Sequence, residues 1–315
     1  VILMNDRRAD LAPAVFDPIP RFALDMDIAS LLQQIADRLQ PVTDTPLLDA
    51  QVLIAHVLEK PRSWVVAHLD ATLSKAQQQA LEEAVRRLEQ REPLPYILGH
   101  WEFCGLDFVV TRDVLIPRPE TELMVEHAVS WLRSRPRSPL SSLRMADVGT
   151  GSGCIAVALA KQIPDVRVLA TDISLPALKV ARQNAIRHSV ASRIDFVQCD
   201  LLPPHAESLP TDSHFHVICA NLPYIPTHKL PELRTYGHEP ELALNGGEDG
   251  LDLIRRLLPV AADWLTLNGL LLIEIEAGQG LAALSLAYDS FDHATIQLRR
   301  DLAGRDRLLI IRLHG

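Results

Sequence analysis

Nothing in this chain approaches the ~18 consecutive apolar residues of a membrane-spanning helix, so no membrane partner is expected. Cysteine is scarce. Cys104, Cys154, Cys199 and Cys219 lie far apart, with no C-x-x-C pair and no neighbouring histidine pairs. They read as buried thiols in a reducing compartment, and no metal-ligand set is expected. A basic excess is also missing. The net charge is −9, with 17 acids against 12 bases over Val1–Arg118 and 23 against 19 in the remainder. Neither part offers the positive field of a protein that grips nucleic acid, so no direct nucleic-acid contact is expected. Val1–Met4 is too short for a signal-peptide core, and with nothing marking secretion the expected location is cytoplasmic. No internal repeat or low-complexity tract interrupts the chain.

What is present suits a chain of two domains: 315 residues with 48% hydrophobic side chains, enough for a sizeable core. The central stretch is Val217–Pro226, V-I-C-A-N-L-P-Y-I-P. Val217–Ala220 suits a buried strand, which Leu222-Pro223 and Ile225-Pro226 cannot continue. An amide side chain, Asn221, is thereby delivered to the carboxyl end of a strand, where open α/β sheets bind ligands.

A second site fits the first. Arg144–Gly153 reads R-M-A-D-V-G-T-G-S-G, a short strand at Met145–Val148 followed by alternating Gly149, Gly151 and Gly153. With Thr150 and Ser152 between them, the glycines let backbone approach a ligand, and amides point out of the helix start at Cys154. The spacing is G-x-G-x-G and not the G-x-G-x-x-G of dinucleotide binders. A second strand, Val166–Ala170, ends at Asp172, placed to accept both hydroxyls of a ribose.

Along the chain, a flexible tail is expected over 1–24 and a helical domain over 25–93. Its first helix turns Ile28, Leu31, Leu32, Ile35 and Leu39 to one side, and its second, from Thr45 and Pro46, faces Leu48, Val52 and Ala55 inward. A third is opened by the Ser74–Gln77 capping box, with Leu81, Ala84, Val85 and Leu88 inward. A β-hairpin linker is expected over 94–118, where Trp101, Phe103 and Phe108 gather around Gly105. Beyond it, 119–315 alternates strands and helices, with further strands at Ile194–Gln198, Leu270–Ile275, Ala294–Leu298 and Leu308–Leu313. The last two form an antiparallel closing pair. Ser134–Ser142 reads as a loop, Asp249 as a loop-former able to cap the next helix, and Glu274 and Glu276 as solvated. Asp147 either orients the glycine loop or meets a cofactor amino group.

These residues together resemble the class I S-adenosylmethionine-dependent methyltransferases, and within them the HemK/PrmC family of release-factor glutamine methyltransferases. The resemblance rests on E-P-L-P-Y-I-L-G (Glu92–Gly99), E-F-C-G-L (Glu102–Leu106), L-I-P-R-P-E-T-E (Leu115–Glu122), G-T-G-S-G (Gly149–Gly153), N-L-P-Y (Asn221–Tyr224) and E-P-E-L-A-L-N-G-G-E-D-G-L (Glu239–Leu251). It implies a Rossmann-like seven-stranded α/β sheet with a small N-terminal helical substrate-recognition domain joined by the hairpin.

It also implies roles. Gly149–Gly153 hold the methionine part of S-adenosylmethionine, Asp172 its ribose, and Asp200 and Leu201 border its adenine. Family members often carry an aromatic at the Leu201 position, so stacking is weaker here. Phe103 matches an aromatic closing over the cofactor, Asn221 sits between cofactor and substrate and contacts both, and Leu222, Pro223 and Tyr224 face the substrate. Leu222 departs from the commoner N-P-P-Y, although its carbonyl supplies the expected contact. The implied reaction is methyl transfer to the glutamine of the Gly-Gly-Gln loop in class 1 peptide chain release factors, by a monomer. A ribosomal-protein glutamine and a nucleic-acid adenine amine are the alternative acceptors, since N-x-P-Y serves planar amines as well.

Overall fold

A computed structural model describes residue 22 and residues 25–135, 143–204 and 214–314. The expected tail, apart from Phe22, and most of the Ser134–Ser142 loop lie outside the described residues. The chain divides into two compact units between Gln90 and Arg91.

The first unit holds four helices among the described residues: α1 (Ile28–Leu39), α2 (Pro46–Leu58), the short α3 (Arg62–Ala67) and α4 (Lys75–Glu89). α1 buries the five residues its periodicity selects, and α4 opens on the expected Ser74–Gln77 capping box with both of its hydrogen bonds formed. Arg38 clamps α1 to α4, donating at 2.9 Å to both Glu82 and Glu89. α2 buries Ala55 as expected and half-buries Val52, but its inward face is centred on Asp49, Ala50, Leu53 and Ile54, and Leu48 is exposed. P-L-L-D-A-Q-V-L-I-A-H-V-L is apolar nearly all round, so period alone does not choose its face. Asp49 helps to set it by accepting from the Thr43 and Thr45 hydroxyls.

The second unit begins with α5 (Leu94–Leu98) and the antiparallel pair β1 (His100–Phe103) and β2 (Leu106–Val109). Cys104 and Gly105, both at positive φ, make the two-residue turn. The hairpin falls within this unit. Phe103 and Phe108 meet edge to face inside its core. Fully buried Asn184 also grips the β2 edge like a backbone: Val109 N–H donates to Oδ1 at 2.7 Å, and Nδ2 donates to the Val109 carbonyl at 2.9 Å.

Then follow α6 (Glu122–Ser134), β3 (Leu143–Val148), α7 (Cys154–Gln162), β4 (Val166–Asp172), α8 (Leu175–Arg187), β5 (Ile194–Gln198) and β6 (Phe215–Ala220). The chain closes with α9 (Asp252–Trp264), β7 (Leu265–Glu274), α10 (Gly280–Ser290), β8 (Ala294–Arg300) and β9 (Asp306–Leu313). Strands β3 to β9 form a seven-stranded sheet in the order β5-β4-β3-β6-β7-β9-β8, parallel except for β9, which runs antiparallel to β7 and β8. Alternate residues feed two cores, as a sheet covered on both faces requires. Met145, Val217 and Cys219 face the core shared with α6 and α7, whereas Ala146, Val148, Ile218 and Ala220 face that of α9 and α10. Cys154 and Cys219 are buried, Cys104 and Cys199 are partly exposed, and all four are free thiols. No helix among the described residues is long and apolar enough to cross a membrane.

Candidate active site

The sheet register sets the site. Val148 pairs with Thr171 on one side and Ala220 on the other, and Ala220 pairs with Ile273. One step further along each strand, Asp172, Gly149, Asn221 and Glu274 therefore stand in a row at the carboxyl edge. The order of connection reverses between β3 and β6, which is where such sheets open a crevice. A cleft of about 520 Å³ lies there, walled by the glycine loop, Asp172–Ser174, Cys199–Leu201, Asn221–Pro223, Arg118, Thr121 and parts of 240–247.

The glycine loop is held from below. Asp147, fully buried, accepts from the Thr150 hydroxyl at 2.6 Å and the Ala156 N–H at 3.1 Å. Burial pushes its carboxyl up to about 6, against the pull of those two donors. Of its two expected roles, orienting the loop is the one for which the structure supplies contacts. Gly149, Gly151 and Gly153 all sit at positive φ. A methyl on Gly153 would press on the Ala181 side chain at 3.0 Å, whereas one on Gly151 would meet nothing within 4 Å. Asp172 accepts from Gly151 N–H at 2.9 Å and Ser174 N–H at 2.8 Å, leaving each oxygen further acceptor capacity. Burial raises its pKa and these amides oppose the rise. Exposed Asp200 pairs with Arg256, and Leu201, at positive φ, lines the same wall.

On the other side, Asn221 Nδ2 donates to Thr121 Oγ1 at 3.0 Å, and Thr121 Oγ1 donates to Glu274 Oε2 at 2.7 Å. The Tyr224 hydroxyl donates to Glu274 Oε1 at 3.1 Å. Glu274 is only 1% exposed, so the expectation that it is solvated fails. It ends the buried run L-L-L-I-E, next to Asn221 in the row, and burial raises its pKa against the two hydroxyls. Glu276 is partly exposed and caps the turn after β7. Thr121 and Glu274 escaped sequence reasoning, although the apolar run closing on a carboxylate level with Asn221 was a usable signal.

The turn that follows Asn221 is braced by the 239–252 segment. Ile225 N–H donates to Leu244 O at 3.0 Å, Gly246 N–H to Ile225 O at 2.9 Å, and Gln279 Nε2 to Tyr224 O at 2.9 Å. Asp249 is a loop-former, accepting from Leu251 N–H at 3.0 Å and pairing with Arg255, which holds its carboxyl down at about 2. Leu222 is buried with Cδ2 against Gly149. Two predicted residues stand apart from the rest. Phe103 is 1% exposed in the hairpin core and is not among the residues lining the cleft, and Tyr224 turns its hydroxyl to Glu274 behind the cleft wall.

Comparison with known proteins follows the same division. Residues 30–99 match the PrmC N-terminal domain and residues 145–235 a methyltransferase domain. A release factor glutamine methyltransferase from Moorella thermoacetica is 42% identical over 268 residues, covering 85% of this chain and 91% of that protein. One of the same name from Coxiella burnetii is 38% identical over 291 residues, covering 91% and 99%. The chain belongs to the release factor glutamine methyltransferase family. Among solved structures, the hMettl16 catalytic domain in complex with MAT2A 3'UTR hairpin 1 aligns with a TM-score of 0.51 at 13% identity, covering 91% of each chain. At that identity the likeness concerns the fold, a Rossmann-like class I methyltransferase. In this chain the two narrowest motifs meet directly. Arg118 of I-P-R-P-E-T-E donates at 2.6 Å to Glu239 of E-P-E-L-A-L, whose carboxylate is buried and also accepts from Ile116 N–H at 3.3 Å.

Proposed function

We infer that this enzyme transfers a methyl group from S-adenosylmethionine to the side-chain amide nitrogen of the glutamine in the Gly-Gly-Gln loop of class 1 peptide chain release factors. The observation that carries the reading is the row Asp172, Gly149 and Asn221 on one cleft, with an acceptor for a nucleoside at one end and an oriented amide at the other. The names of the relatives support the choice of acceptor.

The cleft residues fit the cofactor. Its volume lies within the ~300–1,000 Å³ of small-molecule sites. Gly151 exposes backbone with open space above it, Asp172 retains acceptor capacity for ribose hydroxyls, and Leu201 and Ile173 offer apolar walls beside Asp200. When bound, the cofactor supplies an electrophilic methyl group on a sulfonium.

The chain's own part is positioning. An amide nitrogen is a poor nucleophile because its lone pair is delocalised into the carbonyl. Asn221 Oδ1 and the Leu222 carbonyl each take one N–H of the incoming NH₂, favouring a pyramidal nitrogen aligned for in-line attack. Orientation of this kind contributes ~7 kcal/mol or more. The proton leaves after transfer, when the nitrogen has become acidic, so no general base is required. The first unit, Asp27–Gln90, serves the protein substrate, since every cofactor-type feature lies in the second.

The test is tritiated-methyl transfer to a release factor, with mass mapping of the modified residue and single-turnover rates for three proteins. Asn221→Ala is expected to slow transfer by about tenfold or more while cofactor affinity falls much less. Asn221→Asp keeps an acceptor but places a charge beside the sulfonium, stabilising the cationic ground state more than the charge-dispersed transition state, and is expected to bind cofactor and turn over slowly. Wild-type transfer by Asn221→Ala would overturn the mechanism.

A further inference from the structure

Thr121 stands at the N-cap of α6, where a threonine hydroxyl ordinarily accepts a hydrogen bond from a first-turn amide. This one makes no such cap. The residue is 1% exposed, and its hydroxyl is spent sideways between Asn221 Nδ2 and Glu274 Oε2. Thr121 Oγ1 donates to Glu274 Oε2, so the Thr121 proton lies on the Glu274 side. Thr121 Oγ1 is then left as an acceptor, and an acceptor must face the NH₂ end of Asn221. The hydrogen-bond polarity thus runs one way along Asn221, Thr121 and Glu274, and the Tyr224 hydroxyl secures the far oxygen of Glu274. Among the described residues, Asn221 Oδ1 accepts no hydrogen bond.

We propose that Thr121 is a positioning residue: anchored by Glu274, it holds the Asn221 amide by its nitrogen, so that Oδ1 is the end offered to the substrate NH₂. A reversed Asn221 amide would set NH₂ against NH₂, two donors without an acceptor between them. Free rotation of the Asn221 side chain would populate both arrangements, and the relay removes the unproductive one before substrate arrives. The proposal rests on the methyl-transfer reading above, because it assigns the polarity required for an amide nucleophile.

Two variants and one spectrum test it on the full chain. Thr121→Val keeps the shape but removes the hydroxyl, and Thr121→Ser keeps the hydroxyl but removes the methyl. At saturating S-adenosylmethionine, Thr121→Val is expected to slow single-turnover transfer to the release factor by about tenfold or more, with cofactor affinity by calorimetry within about twofold of wild type. Thr121→Ser is expected to recover most of the rate. In ¹⁵N-asparagine-labelled protein, the side-chain resonances of Asn221, identified by their loss in Asn221→Ala, are expected to include one amide proton protected from exchange in wild type and Thr121→Ser, and unprotected in Thr121→Val. Wild-type turnover by Thr121→Val, a Thr121→Ser as slow as Thr121→Val, or unchanged Asn221 protection in Thr121→Val would each overturn the proposal. If the wild-type protein does not modify the release factor, the functional reading fails, and the exchange measurement still decides whether Thr121 holds Asn221.

Discussion

Gly246 has no room for a side chain because Pro223 lies against it: a methyl on its Cα would stand 2.7 Å from the Pro223 carbonyl oxygen and 2.8 Å from Tyr224 Cα. Both obstacles are backbone and cannot rotate away. Segments 23 residues apart are thereby pressed together, and the turn that carries Asn221 takes its shape from the later one. Gly246→Ala is expected to cost roughly 1–3 kcal/mol in denaturant melts and to slow methyl transfer more than it weakens cofactor binding. Unchanged turnover would show that the turn is shaped without the 245–252 loop.

Asp172 joins two jobs, accepting from the Gly151 and Ser174 amides and facing the cleft. Asp172→Ala is expected to weaken S-adenosylmethionine binding by roughly 1–3 kcal/mol through lost charge-assisted hydrogen bonds. Calorimetry that finds the same affinity in this variant removes Asp172 from the binding site.

The Asp147 carboxyl supplies a pH signature. Its folded-state pKa is raised to about 6 from an ordinary value of 3.8. Between those two values the folded protein holds the proton more tightly than the unfolded chain. This group's contribution to stability therefore falls as pH rises from about 4 to about 6, and its cost is fully present above that window. Asp147→Asn removes the titration, and its oxygen can still accept from Thr150 and Ala156. The stability difference between variant and wild type is expected to shift in the variant's favour by roughly 2–3 kcal/mol on going from pH 4 to pH 7. Urea melts showing a pH-independent difference would mean that Asp147 does not titrate there.

Phe103 separates packing from cofactor contact. It is buried edge to face against Phe108, with ring centroids 6.1 Å apart, and it does not border the cleft. Phe103→Leu is expected to cost roughly 1–3 kcal/mol of stability with the S-adenosylmethionine dissociation constant nearly unchanged. A large loss of cofactor affinity in a protein of undiminished stability would restore the closing-aromatic role.

Much of this architecture is legible in the chain alone, for local reasons. α1 and α4 announce themselves because strong 3.6-residue periodicity and a capping box depend only on near neighbours. β3, β4 and β6 announce themselves because short apolar runs stop at Gly149, Asp172 and Asn221, where glycine, an acid or proline ends the ladder. Those stops mark the cleft. Other features needed contacts between distant segments. The face of α2 is ambiguous in an apolar sequence, and buried Asp49 lies on the inward side, bonded to Thr43 and Thr45. How the hairpin is held is not visible until Asn184, 75 residues on from Val109, is seen gripping its edge. Glu274 looks like any acid after a strand, and only the parallel register of β6 and β7 sets it beside Asn221, with Thr121 brought from 153 residues away to complete the relay. The sequence by itself determined which chemistry stands at the strand ends, because strand termination is a local property. Which way the Asn221 amide points was decided by the tertiary structure alone, because a hydrogen-bond polarity exists only once donor and acceptor have been brought together.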